Sequence, residues 1–413
     1  MTPVKFSLTL LSCLAGIHPM KHYDYIICGG GMAGLSLAYY LKNSKLADKS
    51  VLIIEPQEKN TNDRTWAFWE RGINTFESVL IKKWENVQLI DAYGNKQMLD
   101  MGGYQYKLLR GKDFYDFVKA DLQRHQPIEW LKDSVNSIKD NANSVVVETT
   151  DGQAYEAALV FDSTYQLNLT QPLNHNLLQH FKGYVVKTAQ AAFNPDVPVL
   201  MNFNIDQKQD CRFMYLLPLD AHTALVEYTI FSETLLPSDD YDAALRDYLN
   251  NDLQLQDYQI LEEEFGVIPM SDVPTTERPS PRVVRIGTAG GYTNPATGYT
   301  FANTQRKLKK LVENLEQTGS PKIEASIFDN RFRFYASVLL NVLEQKRHSA
   351  ADIFAMLYRK NPPARVFSFL DGHTTLAEEL QIMNSVPRGK FLAAVGAVII
   401  RKTKAWLNGQ LHP

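Results

Sequence analysis

A short apolar run, Tyr25 to Cys28, leads directly into glycines spaced G-x-G-x-x-G at Gly29, Gly31 and Gly34. That order predicts a buried parallel strand, a tight turn and a helix. The first glycine permits the turn. The second lets a pyrophosphate approach the backbone, and the third lets the helix pack closely on the strand. Leu35 to Leu41 continues as the helix, with its positive end towards the phosphates. A second apolar strand, Val51 to Ile54, ends in Glu55, 24 residues past Gly31. This is close to the spacing of a ribose-hydroxyl acceptor, so the acid favours FAD or NAD over a 2′-phosphate. A lone glycine fingerprint carries little weight; strand, glycines, helix, strand and acid in sequence carry much more.

A second glycine-rich segment, GTAGGYTNPATGYTFANTQ, runs from Gly287 to Gln305. Two such segments so far apart suggest one dinucleotide gripped from two sides. Between them, Asp113 to Leu122 reads as a helix, and Ser144 to Thr149 and Ala158 to Asp162 as strands. From about Lys182 the texture becomes β-rich, with turn signals at Pro195, Asp206 and Asp220. Arg282 to Gly287 returns to an apolar strand, and from Phe301 the chain is mostly helical. The expected class is α/β: a Rossmann-type cofactor domain over residues 20–181 and 282–320, interrupted by an antiparallel substrate sheet over 182–281. A helical region, 321–413, closes the chain.

The 413 residues can bury a large core, and an aromatic content of 11% suits an apolar cavity. A net charge of −3 gives no nucleic-acid signal. Cys13, Cys28 and Cys211 allow one disulfide at most and stand at no metal-binding spacing. His18 and His22 are separated by Pro19, which breaks the helix their spacing needs, so no metal is expected. Val4 to Ile17 resembles a short leader, yet Met20-Lys21 directly precedes the cofactor strand. Residues 1–19 are therefore read as an upstream extension, with Met20 as the natural start.

In HTALVEYTIF, strand alternation places Leu225, Glu227, Thr229 and Phe231 on one face and Ala224, Val226, Tyr228 and Ile230 on the other. Glu227 thus stands on a largely apolar face. A carboxyl group on the wall of an apolar cavity has its pKa raised and stays protonated near neutrality. Glu262 and Glu263 read as a solvated face. Glu264 and Asp272 are weaker site candidates.

Four blocks resemble, in order, the signatures of the lycopene cyclase family: DRTWAFWE (Asp63 to Glu70), LVEYT (Leu225 to Thr229), FGVIPMSD (Phe265 to Asp272) and GTAGGYTNPATGYTF (Gly287 to Phe301). The resemblance spans about Tyr23 to Phe391. It implies a fold like that of the aromatic-hydroxylase and geranylgeranyl-reductase flavoproteins. It also implies bound FAD, active when reduced, with NAD(P)H as electron source, and a redox-neutral closure of β-rings on lycopene. By the same resemblance, Gly29, Gly31, Gly34 and Glu55 hold the FAD pyrophosphate and ribose. Thr288, Gly290, Gly291, Pro295 and Gly298 belong to the loop over the ribityl and ring portions. Glu227 matches the glutamate of the family's acidic motif, as the general acid or as the group that holds the cation; where plant-type and several bacterial members carry a second acid, this chain has Tyr228. Trp66, Phe68 and Trp69, together with Leu225 and Phe231, are candidates for the substrate wall, where aromatic rings can face a cation.

Pro387 to Leu407 carries a ten-residue apolar centre flanked by Arg388, Lys390, Arg401, Lys402 and Lys404. It is too short to span a bilayer and suits a helix in the interface near anionic lipid. The corresponding expectation is a cytoplasmic protein on the inner face of the cell membrane, taking a carotenoid from lipid. The alternative is an FAD-dependent reductase or monooxygenase of the same fold acting on an isoprenoid lipid, which would consume NAD(P)H stoichiometrically.

Overall fold

The computed structural model describes residues 20–125, 127–164, 174–322 and 327–408. The 1–19 extension, with Cys13 and His18, lies outside the described residues.

The chain begins with β1 (Lys21–Cys28), α1 (Met32–Lys42) and β2 (Val51–Ile54). Next come β3 (Thr65–Arg71), β4 (Lys82–Trp84), β5 (Asn86–Ile90), β6 (Lys96–Asp100), β7 (Tyr104–Arg110) and α2 (Gly111–Leu122). β8 (Ile128–Leu131), β9 (Val135–Asp140), β10 (Val145–Thr149) and β11 (Ala154–Asp162) complete the first part. β8, β2, β1 and β11 lie side by side and parallel. Ile26, Ile27 and Cys28 are fully buried because both faces of β1 are covered. This is why the strand reads as a continuous apolar run rather than an alternating one.

The second part holds β12 (Asn176–Thr188), β13 (Val199–Asn202), β14 (Cys211–Pro218), β15 (Thr223–Ser232), α3 (Ser238–Asp247) and β16 (Tyr258–Ser271). β17 (Val283–Arg285) then returns to the first sheet, parallel to β11. The second sheet has the order β16-β12-β15-β14-β13-β5-β6. It is wider than residues 182–281, because it begins at Asn176 and takes β5 and β6 from residues 86–100. β5 pairs in parallel with β13, so an edge that would otherwise offer unpaired backbone groups is covered.

One face of this sheet packs on α3 through Val226, Tyr228 and Ile230. The other, carrying Leu225 and Phe231, meets the C-terminal helices. These are α5 (Ile327–Glu344), α6 (Ala350–Lys360), α7 (Pro363–Leu370), α8 (Leu376–Ser385) and α9 (Arg388–Leu407), and they follow α4 (Phe301–Thr318). β3, β7 and β4 form a small third sheet. Among the described residues, no helix is long and apolar enough to cross a membrane. α9 buries Ala394, Val398 and Ala405 and turns Leu392, Ile399, Ile400 and Trp406 outward.

Candidate active site

The β1–α1 turn is built by close approach. A side chain at Gly34 would put its Cβ 1.9 Å from the Gly29 carbonyl oxygen, so only glycine lets α1 rise directly from the turn. Glu55, at the end of β2, accepts the Gly30 N–H at 2.7 Å and the Gln57 N–H at 3.0 Å. A carboxylate accepts further bonds, so a ribose hydroxyl can share it. The second glycine segment comes to the same place. Gly287, at φ +61°, leaves room for Ala33 of α1, which lies 2.7 Å from where its Cβ would be.

Between the two segments opens a cavity of about 570 Å³. Gly31, Met32 and Ala33 border it at one end, with Gly287, Thr288 and Gly298 alongside. Two helices, α1 and α4, start at its wall, and neither has an acidic first turn or a side-chain cap. Their unpaired N–H groups favour negative charge in the cavity. Lys59 and Arg64 also line it. Gln179 Oε1 and Thr297 Oγ1 are buried on its wall without a hydrogen-bond partner among the described residues. Buried polar atoms are normally satisfied, so this chamber fits a polar, anionic group such as a flavin dinucleotide.

The same cavity reaches Glu227. Glu227 is partly accessible, but only towards the cavity, and protein surrounds it elsewhere. Its neighbours are set by register. Tyr215 of β14 stands opposite it on one side, and Gly183 of β12 on the other. Gly183 is in turn opposite Glu264 of β16. No side chain therefore separates the two carboxyl groups across the sheet. Burial pushes the Glu227 carboxyl well above the usual carboxylate range; the charge of Glu264 adds to this and a 2.8 Å bond from Thr229 opposes it. Glu264 is also raised by burial, against hydrogen bonds from Thr65. Burial thus keeps both carboxyl groups protonated to higher pH than a free carboxyl, and the charge of Glu264 extends this at Glu227.

Three phenols close this end. The hydroxyls of Tyr106 and Tyr299 lie 3.4 Å apart, and those of Tyr215 and Tyr299 lie 3.5 Å apart. All three rings line the cavity. Burial raises their pKa values, and the Glu227 charge adds to the effect, so they stay neutral. Sequence reasoning did not single them out. Tyr299 lies within the segment Gly287 to Phe301, while Tyr106 and Tyr215 carry no local signal.

The structure gathers Gly31, Thr288, Gly298, Trp66, Leu225 and Glu227 around this one chamber. It sets others apart. Gly291, Pro295, Phe68 and Trp69 line a second cavity beyond Tyr299. Gly290 packs on the Arg285 carbonyl. Phe231 shares the strand face of Glu227 but lies in neither cavity wall; it packs edge-on against Phe213. Four residues of strand carry it about 13 Å along the sheet, past the chamber and into the core. Tyr228 points to the opposite face and bonds Arg212 at 2.9 Å. Asp272 is paired with the buried His175 at 2.8 Å and belongs to the packing of α5. Of the acidic run, Glu263 is exposed, while Glu262 pairs with Arg110.

This fold, with a glycine cradle facing a second, seven-stranded sheet, is that of the FAD-binding flavoproteins. It is similar to a geranylgeranyl bacteriochlorophyll reductase-like protein from Thermoplasma acidophilum, with a TM-score of 0.56 at 13% identity over 91% of this chain and 96% of that one. It also resembles a single-residue mutant of the halogenase PltM in complex with FAD, with a TM-score of 0.53 at 12% identity over 90% and 85% of the two chains. Within that class the chain belongs to the lycopene cyclase family, whose model, described as lycopene cyclase protein, matches residues 24–394. A lycopene beta-cyclase of Pseudescherichia vulneris is 27% identical over 302 residues, 67% of this chain and 70% of that one. A lycopene beta-cyclase of Pantoea ananas is 24% identical over 402 residues, 92% of this chain and 98% of that one.

Proposed function

We propose that this protein is a lycopene β-cyclase, converting linear lycopene to β-carotene through γ-carotene without net redox change. The observation that carries the reading is the single cavity bordered by both glycine segments at one end and by Glu227 at the other. FAD is the cofactor that fits the cradle. Gly29, Gly31, Gly34 and the α1 N-terminus would take its pyrophosphate, Glu55 a ribose hydroxyl, and Thr288, Thr297 and Gln179 its remaining polar atoms. When bound and reduced, with NAD(P)H as electron source, it supplies fixed negative charge beside a developing cation in a water-poor site.

The chain's own residues do the rest. Glu227 gives its proton to the terminal double bond of the polyene, forming a C–H bond and leaving a tertiary cation. A nearby double bond attacks that cation and closes the ring. A ring proton then leaves, and the Glu227 carboxylate is placed to receive it. Trp66, Tyr106, Tyr215 and Tyr299 present rings that face a cation without capturing it. Their bulk also keeps out water, which would trap the cation as an alcohol. The outward apolar side chains of α9, with Arg388 and Lys390 at its start, suit contact with the membrane that holds the substrate.

Anaerobic incubation with lycopene in liposomes, followed by pigment chromatography, tests the reading. A β-ring product of unchanged mass is expected with reduced flavin only. A product heavier by hydrogen or oxygen would point to a reductase or monooxygenase instead.

Glu264 gives a second test. Its charge helps hold Glu227 in the acid form, so Glu264→Gln lowers the Glu227 pKa. The alkaline limb of the kcat profile should move to lower pH while flavin stays bound. An unmoved limb would separate the two carboxyl groups.

A further inference from the structure

The larger cavity, about 830 Å³, lies beyond Tyr299 and among the C-terminal helices. Among the helices its wall is apolar, with Val338 and Leu339 of α5, Phe354 and Leu357 of α6, and Phe391 and Val395 of α9, while charged side chains, Glu277, Arg306, Lys310 and Asp371 among them, line other parts. Two observations connect it to the site and to the outside. Thr297 and Tyr299 line both cavities, so the partition between them is one side chain thick. The ring of Trp69 packs on Tyr299 there, with centroids 4.0 Å apart. At the other end Leu392 lines the cavity yet is 69% exposed, so it stands at the mouth. That mouth opens where apolar side chains are concentrated. Of the fifteen large apolar residues most exposed among the described ones, seven are on α8 and α9: Leu376, Leu380, Leu392, Ile399, Ile400, Trp406 and Leu407.

Size decides what the cavity is for. The Glu227 chamber of about 570 Å³ is of the volume that suits one drug-sized ligand. On the cyclase reading it must take a flavin and the reacting end of a forty-carbon chain. The rest of that chain needs an apolar space in line with the chamber. We propose that the cavity among the C-terminal helices is a second binding compartment, which holds the unreacted end of the same linear polyene. The polyene enters beside Leu392 and passes Trp69 and Tyr299 to reach Glu227. The inference rests on the cyclase reading and adds where the far end of the substrate lies.

The test compares two substrates: the linear C40 polyene and a shortened polyene with one identical reactive end, small enough for the Glu227 chamber alone. Val395→Trp on α9 and Leu339→Trp on α5 fill the outer cavity without touching Glu227 or the glycine cradle. Each should retain flavin and turn over the short substrate, while kcat/KM for the C40 polyene falls selectively by about tenfold or more. An unchanged ratio of long to short, whether both are kept or both are lost, would overturn the proposal. A wild-type protein that cyclises neither substrate would instead overturn the cyclase reading. A second measurement needs no variant. A polyene with a photoreactive group at its unreacted end should label peptides of α5, α6 or α9 in the wild-type protein. Labelling confined to other segments would contradict the compartment.

Discussion

Glu227→Gln will leave the protein folded and loaded with flavin, yet lower kcat for ring closure by about 10²–10⁴-fold, the usual worth of a positioned general acid. The amide keeps the size and polarity of the side chain but has no proton to give. The Thr229 hydroxyl, which bonds Glu227 Oε1 at 2.8 Å, can still donate to the amide oxygen. Linkage gives the accompanying change in stability. The folded protein holds the Glu227 proton more tightly than the unfolded chain does, since burial raises its pKa. Stability from this group is full at acid pH and is lost as pH rises from the ordinary carboxyl value towards the raised one. Gln has nothing to ionise, so the variant should melt no lower than wild type at neutral pH and higher at alkaline pH. Activity and melting temperature move in opposite directions. A variant that cyclised at the wild-type rate would remove Glu227 from the mechanism.

Lys107→Met will destabilise the fold by about 3 kcal/mol, the low end of the cost of breaking a buried ion pair. Lys107 is fully buried on β7, next to Tyr106 of the phenol cluster. Its ammonium donates to the Gly72 carbonyl at 2.7 Å, to Glu77 at 2.8 Å and to Glu70 at 3.2 Å. The two carboxylates are partly exposed, which is why the low end applies. Burial alone would raise the Glu77 carboxyl, but Lys107, the Asn74 N–H and Lys83 outweigh it and hold the group at about 2. That depressed value contributes stability at pH above the ordinary carboxyl range, and the contribution is lost as pH falls towards 2. The deficit of the variant should therefore be largest at neutral pH and shrink in acid. Denaturation at a series of pH values checks this. A deficit that stayed constant down to acid pH would mean that lost packing, not lost charge pairing, sets the cost.

The sequence carried the cofactor cradle well because its logic is local. Strand, turn, helix and acid lie within about thirty residues, and Gly34 is demanded by contacts inside its own turn. Glu227 was legible for a similar reason, since a period of two sorts its face from Tyr228. What could not be read depended on partners far along the chain. Tyr215 faces Glu227 only through the register of β14 on β15. Glu264 was legible only as a weaker candidate than Glu227, because it ends a run of glutamates of which Glu262 and Glu263 look solvated, yet in a strand the middle one must face opposite its two neighbours. Here Glu263 takes the solvent and Glu264 the interior, with only Gly183 between it and Glu227. The joining of β5 and β6 to the second sheet is likewise a pairing across more than a hundred residues. Phe231 has the right face and the wrong distance along it.

Incubation with lycopene and reduced flavin in D₂O tests the central claim most directly. On the proposed mechanism, Glu227 takes up deuterium from solvent before substrate binds, and each ring closure begins by transferring it to carbon. One deuterium is expected in every β-ring formed and none in unreacted lycopene, with label and ring falling together in Glu227→Gln. Rings formed without deuterium would contradict that claim.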